Sequence, residues 1–130
     1  MSRHERIEQF EIETDAVRVL RRAKEMVEAG WVQRTAFCEN ADGGKRARCA
    51  SQAISDAAME LKTDWFAAEQ LFKHAIGIWY IPGWNDHPKR IKEDVLAAFD
   101  KAMSIAWNDH IKRTKEDVLA TLDKAIRIAS

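Results

Sequence analysis

Asp86 precedes His87 and Asp109 precedes His110, so each pair has the atoms of a general base and of the group that orients it. Neighbours in a turn-forming Trp-Asn-Asp-His string seldom converge on one substrate, and no motif places a nucleophile beside them. The plainer reading is that the aspartates cap helices. Cys38, Cys49, His87 and His110 carry zinc-ligating atoms. No Cys-x-x-Cys or His-x-x-x-His spacing brings two of them onto one rigid element, so buried or half-buried thiols are the expectation for both cysteines. Lys45, Arg46 and Arg48 follow a flexible glycine pair in "GGKRAR", and Arg18, Arg21, Arg22 and Lys24 cluster upstream. Together they could form an anion or nucleic-acid patch. The glycines lack phosphate-loop spacing, and charge clusters of this size usually mark a solvated face. The reading is therefore of no catalytic residue, no metal site and no cofactor.

Large apolar side chains are the other candidates. The five tryptophans are Trp31, Trp65, Trp79, Trp84 and Trp107. Each joins a large ring to one donor and suits a core or an interface anchor. A core role is expected for Trp65 and Trp84, an interaction role for Trp31 and Trp107.

The composition bounds what can position these groups. A chain of 130 residues, 46% hydrophobic and 32% charged, suits one folded domain. Its 21 basic and 21 acidic side chains cancel, which removes the field that drives general binding to nucleic acid or anionic membranes. The start, "MSRHERIEQFEIETD", lacks the apolar core of a signal peptide, and "AIGIWYIPGW" is too short and broken to span a membrane. A soluble cytoplasmic protein with reduced thiols is expected.

Along the chain, residues 1–12 read as a charged arm. Thr14 or Asp15 can cap a helix over 15–29 with Val17, Leu20, Ala23 or Lys24, and Val27 on one face, and Gly30 can supply a left-handed stop. "WVQRTAFCENADGGKRAR" has no sustained period and predicts an irregular connection over 31–48, a length typical of binding loops. Helices follow over about 50–61 and from Thr63 or Asp64 to "GIWYIPGW".

The last part of the chain repeats itself. "WNDHPKRIKEDVLAAFDKAMSIA" (84–106) runs without a gap into "WNDHIKRTKEDVLATLDKAIRIA" (107–129), identical at 17 of 23 positions. Val95, Leu96, Phe99, Ala102 and Met103 form the apolar stripe of the first copy, and Val118, Leu119, Leu122, Ala125 and Ile126 that of the second. A 23-residue step turns a straight helix by about 140°, aiming the two stripes apart, so a break at the second "WNDH" is expected. Thr114 with Asp117 approaches a capping box there; Pro88 does that work in the first copy, where Ile91 holds the Thr position.

"VLRRAKEMVEAGW", "RCASQAI" and "WNDHPKRIKEDVLAAFDKA" resemble a group of small bacterial and phage proteins classed as a domain of unknown function. Members pair a helix ending in Gly-Trp with Cys-Ala-x-Gly-Ala, then close with Trp-Asn-Asp-x-Pro-x-Arg-Thr-x-x-Asp-Val and a Phe-Asp-x-Ala helix. Over about 17–106 the resemblance picks out Trp31, Cys49, Ala50, Trp84, Asn85, Asp86, Pro88, Arg90, Asp94, Val95, Phe99, Asp100 and Ala102. Gln52 departs from the family's Gly and Ile91 from its Thr. The resemblance implies no activity.

These readings combine into a small all-α, single-domain bundle of four to five helices with a duplicated C-terminal helix. It divides into an arm (1–12), a helical domain (13–106) and an added helix (107–130). The expected function is a non-enzymatic protein-interaction module, an accessory product of a phage or mobile element; a small nucleic-acid-binding regulator is the alternative. The interaction candidates are Trp31, Lys45, Arg46, Arg48, Trp107, Val118, Leu119 and Leu122. A structural motif is expected of Trp84, Asn85, Asp86, Arg90 and Asp94, with Trp107, Asn108, Asp109, Thr114 and Asp117 in the second copy. The partner is a protein, or a second copy exchanging the repeated helix in a swapped dimer.

Overall fold

The computed structural model describes residues 14–41 and 45–129; the expected N-terminal arm and residues 42–44 of the "ADGG" turn lie outside them. The chain is mainly helical. Helix α1 (Asp15–Ala29) starts at Thr14, whose hydroxyl accepts from the Val17 amide at 3.3 Å. Its buried face is Val19, Leu20, Ala23, Met26 and Val27. Gly30 ends the helix in extended backbone (φ −179°, ψ 127°), correcting the expected left-handed stop. Its requirement is space: a Cβ there would lie 2.9 Å from the Arg46 carbonyl oxygen, where the next element crosses.

That element corrects a second expectation. Strands β1 (Phe37–Ala41) and β2 (Lys45–Arg48) form an antiparallel hairpin within the stretch read as irregular, with Phe37 opposite Arg48 and a register irregularity between Cys38 and Ala41. The pairing is short and interrupted, so it leaves no period in the sequence. The hairpin is tied back to the end of α1, since the Arg48 amide donates to Gly30 O at 3.0 Å and the Val32 amide to Arg48 O at 3.2 Å.

Helix α2 (Ala50–Glu60) buries Ala50, Ala53, Ile54, Ala57 and Ala58, a face small enough to pack closely on α1. Helix α3 (Phe66–Ile76) buries Ala68, Phe72 and Ala75, and ends at Gly77 in the left-handed region (φ 68°), with the Ile78 amide returning to Lys73 O. Trp65, expected in the core, is instead 47% exposed: it stands just before the first turn of α3 and meets the exposed Phe66 ring edge-on. A short helix α4 (Ile81–Asn85) and a turn lead to α5 (Lys92–Ala129), 38 residues without interruption.

The first half of α5 completes the core. Val95, Ala98, Phe99 and Ala102 are buried against α1 and α3, with Phe99 and Phe72 ring centroids 4.8 Å apart. The expected break at the second "WNDH" does not occur, nor does a new helix start at Thr114. Two physical differences account for this. Ile111 replaces Pro88, whose ring disfavours helix at the preceding residue and removes an amide donor. Asn85 is also held by groups on other elements, described below, that exist only once in the fold. Past Ala106 every residue with a described side chain is exposed, among them Trp107 (42%), Leu119 (55%) and Leu122 (55%). The core-facing line of α5 would continue by helical spacing through Arg113, Glu116, Ala120 and Lys124, where one methyl group stands among charged residues and offers the domain little to bury.

Candidate functional site

The chemistry-bearing residues of the first "WNDH" meet the Gly30–Arg34 segment and the start of α2. Asn85 is completely buried. Its Oδ1 accepts from the Trp31 indole Nε1 at 2.7 Å and from the Ala50 amide at 3.1 Å. Its Nδ2 donates to Val32 O at 3.0 Å and to Asp86 Oδ1 at 3.1 Å. One carboxamide thereby ties three segments together and satisfies an amide at the first turn of α2 that has no intrahelical partner. No buried side-chain polar atom among the described residues lacks a partner.

Asp86 stands at the C-cap of α4, its amide donating to Pro82 O at 2.9 Å, but its carboxylate caps no helix start. Its Oδ1 also accepts the Arg34 amide at 2.7 Å, and Arg34 sits in the left-handed region (φ 67°), uncommon for a residue with a side chain. His87 Nδ1 accepts from the Lys89 amide at 3.1 Å within the turn. Asp86 and His87 are thus occupied with different backbone groups, and no hydrogen bond joins them as base and orienter. Arg90 lies over the Trp84 ring at 4.1 Å and donates from Nε to Trp84 O at 3.0 Å, while Trp84 packs edge-on against Phe72. Asp94 Oδ2 accepts the Ile91 amide at 3.1 Å, the return half of a capping box whose Thr is missing.

Sequence reasoning passed over Gln33. Its Nε2 donates to both Asn85 O (2.9 Å) and His87 O (2.8 Å), closing the clamp from the other side. No local pattern marks it, because both partners are more than fifty positions away. The Asp-Gly in "ADGG", a common hairpin signal, was the available clue to the strands beside it.

A cavity of about 280 Å³ opens beside the clamp, lined by Arg34, Thr35, Ala36, Cys49, Ser51, Gln52, Pro82 and Asp86. Cys49 Sγ accepts the Gln52 amide at 3.4 Å as the N-cap of α2, and burial pushes the thiol above its ordinary range. Such a thiol is protonated at neutral pH, the opposite of an activated nucleophile. Gln52 Nε2 reaches Asp56 at 2.7 Å. Cys38 and Cys49 do not form a disulfide, and Cys38, expected to be covered, is exposed on the irregular hairpin. Among the described residues no three His, Cys, Asp or Glu side chains come together as a metal site.

The basic residues are distributed among carboxylates. Arg48 pairs with Asp56 at 2.7 Å, Arg22 with Glu60 at 2.5 Å and Glu25 at 3.0 Å, and Lys24 with Asp100 at 2.8 Å. Hydrogen bonding to Glu60 raises the Arg22 pKa and lowers that of Glu60, and Asp100 raises that of Lys24. Arg46 is exposed, and the Lys45 side chain lies outside the described residues. In the second copy Trp107 and Asn108 are exposed on α5; at Asp109, Thr114, Asp117 and Val118 only the helical backbone is described.

The model of a family of unknown function (DUF6197) matches residues 12–105. The chain belongs to this family. The DUF6197 span takes in the whole Asn85 clamp and the core-packed half of α5, and it stops before Trp107, where the second copy begins. No curated protein and no solved structure matches the chain. Among the described residues no helix is long and apolar enough to cross a membrane.

Proposed function

We propose that the chain is a non-enzymatic protein-interaction module of the cytoplasm, in which residues 14–106 form a scaffold and α5 beyond Ala106 is the surface offered to a protein partner. The resemblance to small bacterial and phage proteins favours an accessory role in a phage or mobile element. The observation that carries the reading is the exposure of Trp107, Leu119 and Leu122 on a helix that no other part of the described chain covers. Large aromatic and aliphatic groups of this kind anchor interfaces, and a projecting helix gains most of its stability from packing. The groups that could do chemistry are otherwise employed: Asp86 and His87 hold backbone amides, and Cys49 caps a helix. A nucleic-acid regulator would need cations available to phosphate, whereas Arg22, Lys24 and Arg48 are already in ion pairs.

The partner can be a second copy, giving a homodimer through the repeated helix, or another protein. Affinity capture from host cells, run with the full chain and with the full-length Leu119→Asp/Leu122→Asp variant, tests the reading. A specifically bound protein, this chain included, should be lost with the variant. Identical capture by both chains would remove the part of α5 beyond Ala106 from the function.

A further inference from the structure

The cavity beside the Asn85 clamp holds charges that the fold leaves unused. Asp86 Oδ1 takes the Arg34 and Asn85 donors, and among the described residues its Oδ2 has no hydrogen-bond partner. No buried polar side-chain atom lacks a partner there, so this oxygen is open to solvent, and Asp86 lines the cavity. Arg34 and Ser51 line it too, and the guanidinium of one and the hydroxyl of the other are likewise unpaired among the described residues. No ion pair joins Arg34 to Asp86, yet the 2.7 Å bond from the Arg34 amide to Asp86 Oδ1 ties the two residues together at one point. The guanidinium, on its flexible stem, therefore stands within a small molecule's length of the unused carboxylate oxygen.

The walls are set before any ligand arrives. Arg34 is held at φ 67°, a conformation that a residue with a side chain keeps only where its surroundings impose it, and here the Asp86 carboxylate does so. The wall at the start of α2 is fixed through the Ala50 amide to Asn85, the residue before Asp86. Burial keeps the Cys49 thiol protonated at neutral pH, which leaves Arg34 and Asp86 as the only charges lining the cavity. Every lining residue lies within the span 12–105 matched by the family.

We propose that this cavity binds a free α-amino acid, with the ligand carboxylate on Arg34 and its ammonium group on Asp86 Oδ2. One cation and one anion, both unpaired, complement a zwitterion, and a charge-assisted hydrogen bond can hold each end. The volume of about 280 Å³ lies just under the roughly 300–1,000 Å³ of sites for drug-sized ligands, so it suits a smaller molecule. Other small ions fit less well. Inorganic phosphate would face the Asp86 carboxylate, a like charge, and a simple amine would leave Arg34 without a partner. In a peptide the two terminal charges stand too far apart for one cavity of this size. Ser51 adds a donor for the carboxylate, and Ala36 and Pro82 give the ligand side chain an apolar wall. The site goes beyond the interaction role proposed above, since it uses no residue of α5.

Isothermal titration calorimetry of the full chain with each of the common protein L-α-amino acids tests the assignment. At least one should bind one-to-one with a Kd of about 1 mM or below. Its methyl ester keeps the ammonium group but loses the carboxylate charge, and its N-acetyl derivative does the reverse. Each should bind about tenfold more weakly than the parent, or worse. Arg34→Gln and Asp86→Asn should weaken the parent amino acid to a similar degree with the near-ultraviolet circular dichroism unchanged, because asparagine still offers an oxygen to the Arg34 and Asn85 donors. Absence of binding by every amino acid would overturn the proposal. An ester that binds as well as the parent acid would overturn it in favour of a cation site, and an N-acetyl derivative that does so in favour of an anion site. Should either variant unfold, the two derivatives decide the matter on the unaltered chain.

Discussion

Replacing Asn85 with Ala removes one carboxamide and leaves three polar groups without their partner. The Ala50 amide and the Val32 carbonyl lose bonds of 3.1 and 3.0 Å, and the Trp31 indole loses one of 2.7 Å. Ala50 is fully buried and stands at a helix start with no alternative acceptor, so it bears the full desolvation penalty. The Val32 carbonyl is half-covered, and the half-exposed Trp31 can turn its N–H toward water. At about 1–3 kcal/mol for each group left unsatisfied, with the Trp31 contribution the smallest, the loss comes to about 3–5 kcal/mol. This is a large share of the ~5–15 kcal/mol typical of a domain. Urea unfolding followed by tryptophan fluorescence reads the loss as a lower midpoint at unchanged slope. Asn85→Asp is the companion variant: it keeps an acceptor for Trp31 and Ala50 but loses the donor to Val32 and sets a carboxylate beside Asp86. It should also destabilise the fold, more at pH 7 than in acid, because burial and the neighbouring Asp86 both favour the protonated form of the new carboxyl. A loss below about 1 kcal/mol for Asn85→Ala would refute the account of Asn85 as the clamp.

Three further outcomes follow from the geometry. Phe99→Ala should cost about 3–5 kcal/mol, while Leu122→Ala at the matching place of the second copy should shift domain unfolding by less than about 0.5 kcal/mol; both are read by urea titration at fixed protein concentration. Gly30→Ala drives a Cβ to 2.9 Å from the Arg46 carbonyl oxygen, so a loss of about 1–3 kcal/mol is expected, with faster amide exchange in β2. At neutral pH a thiol reagent should label exposed Cys38 and spare buried Cys49, whose raised pKa keeps it protonated in the folded chain; labelling of Cys49 should appear only with unfolding, by mass spectrometry of the intact protein.

Local rules carried the reading where local energetics decide. The α1 cap at Thr14, its apolar face and the helices over 50–60 and 66–76 follow from capping chemistry and three-and-four spacing, which act within a few residues. The hairpin escaped because its ladder is short and irregular. Trp65 escaped because a large apolar ring is equally at home in a core or on a surface, and only the placement of its neighbours tells which. The candidate site was half legible. Trp84, Asn85 and Asp86 stand out as a string, but their partners Trp31, Gln33, Arg34 and Ala50 are distant in sequence and carry no shared pattern.

The repeat marks the boundary most clearly. By itself the sequence determined that two segments have the same apolar stripe, that a straight helix would turn those stripes about 140° apart, and that the second copy lacks Pro88. It could not determine whether the chain breaks between them, because that depends on which copy finds Trp31, Val32 and Ala50 to bind its asparagine. The fold contains one such set, and the first copy occupies it. With no comparable anchor and no proline to stop it, the second copy continues the helix, so a duplicated core element becomes an exposed one.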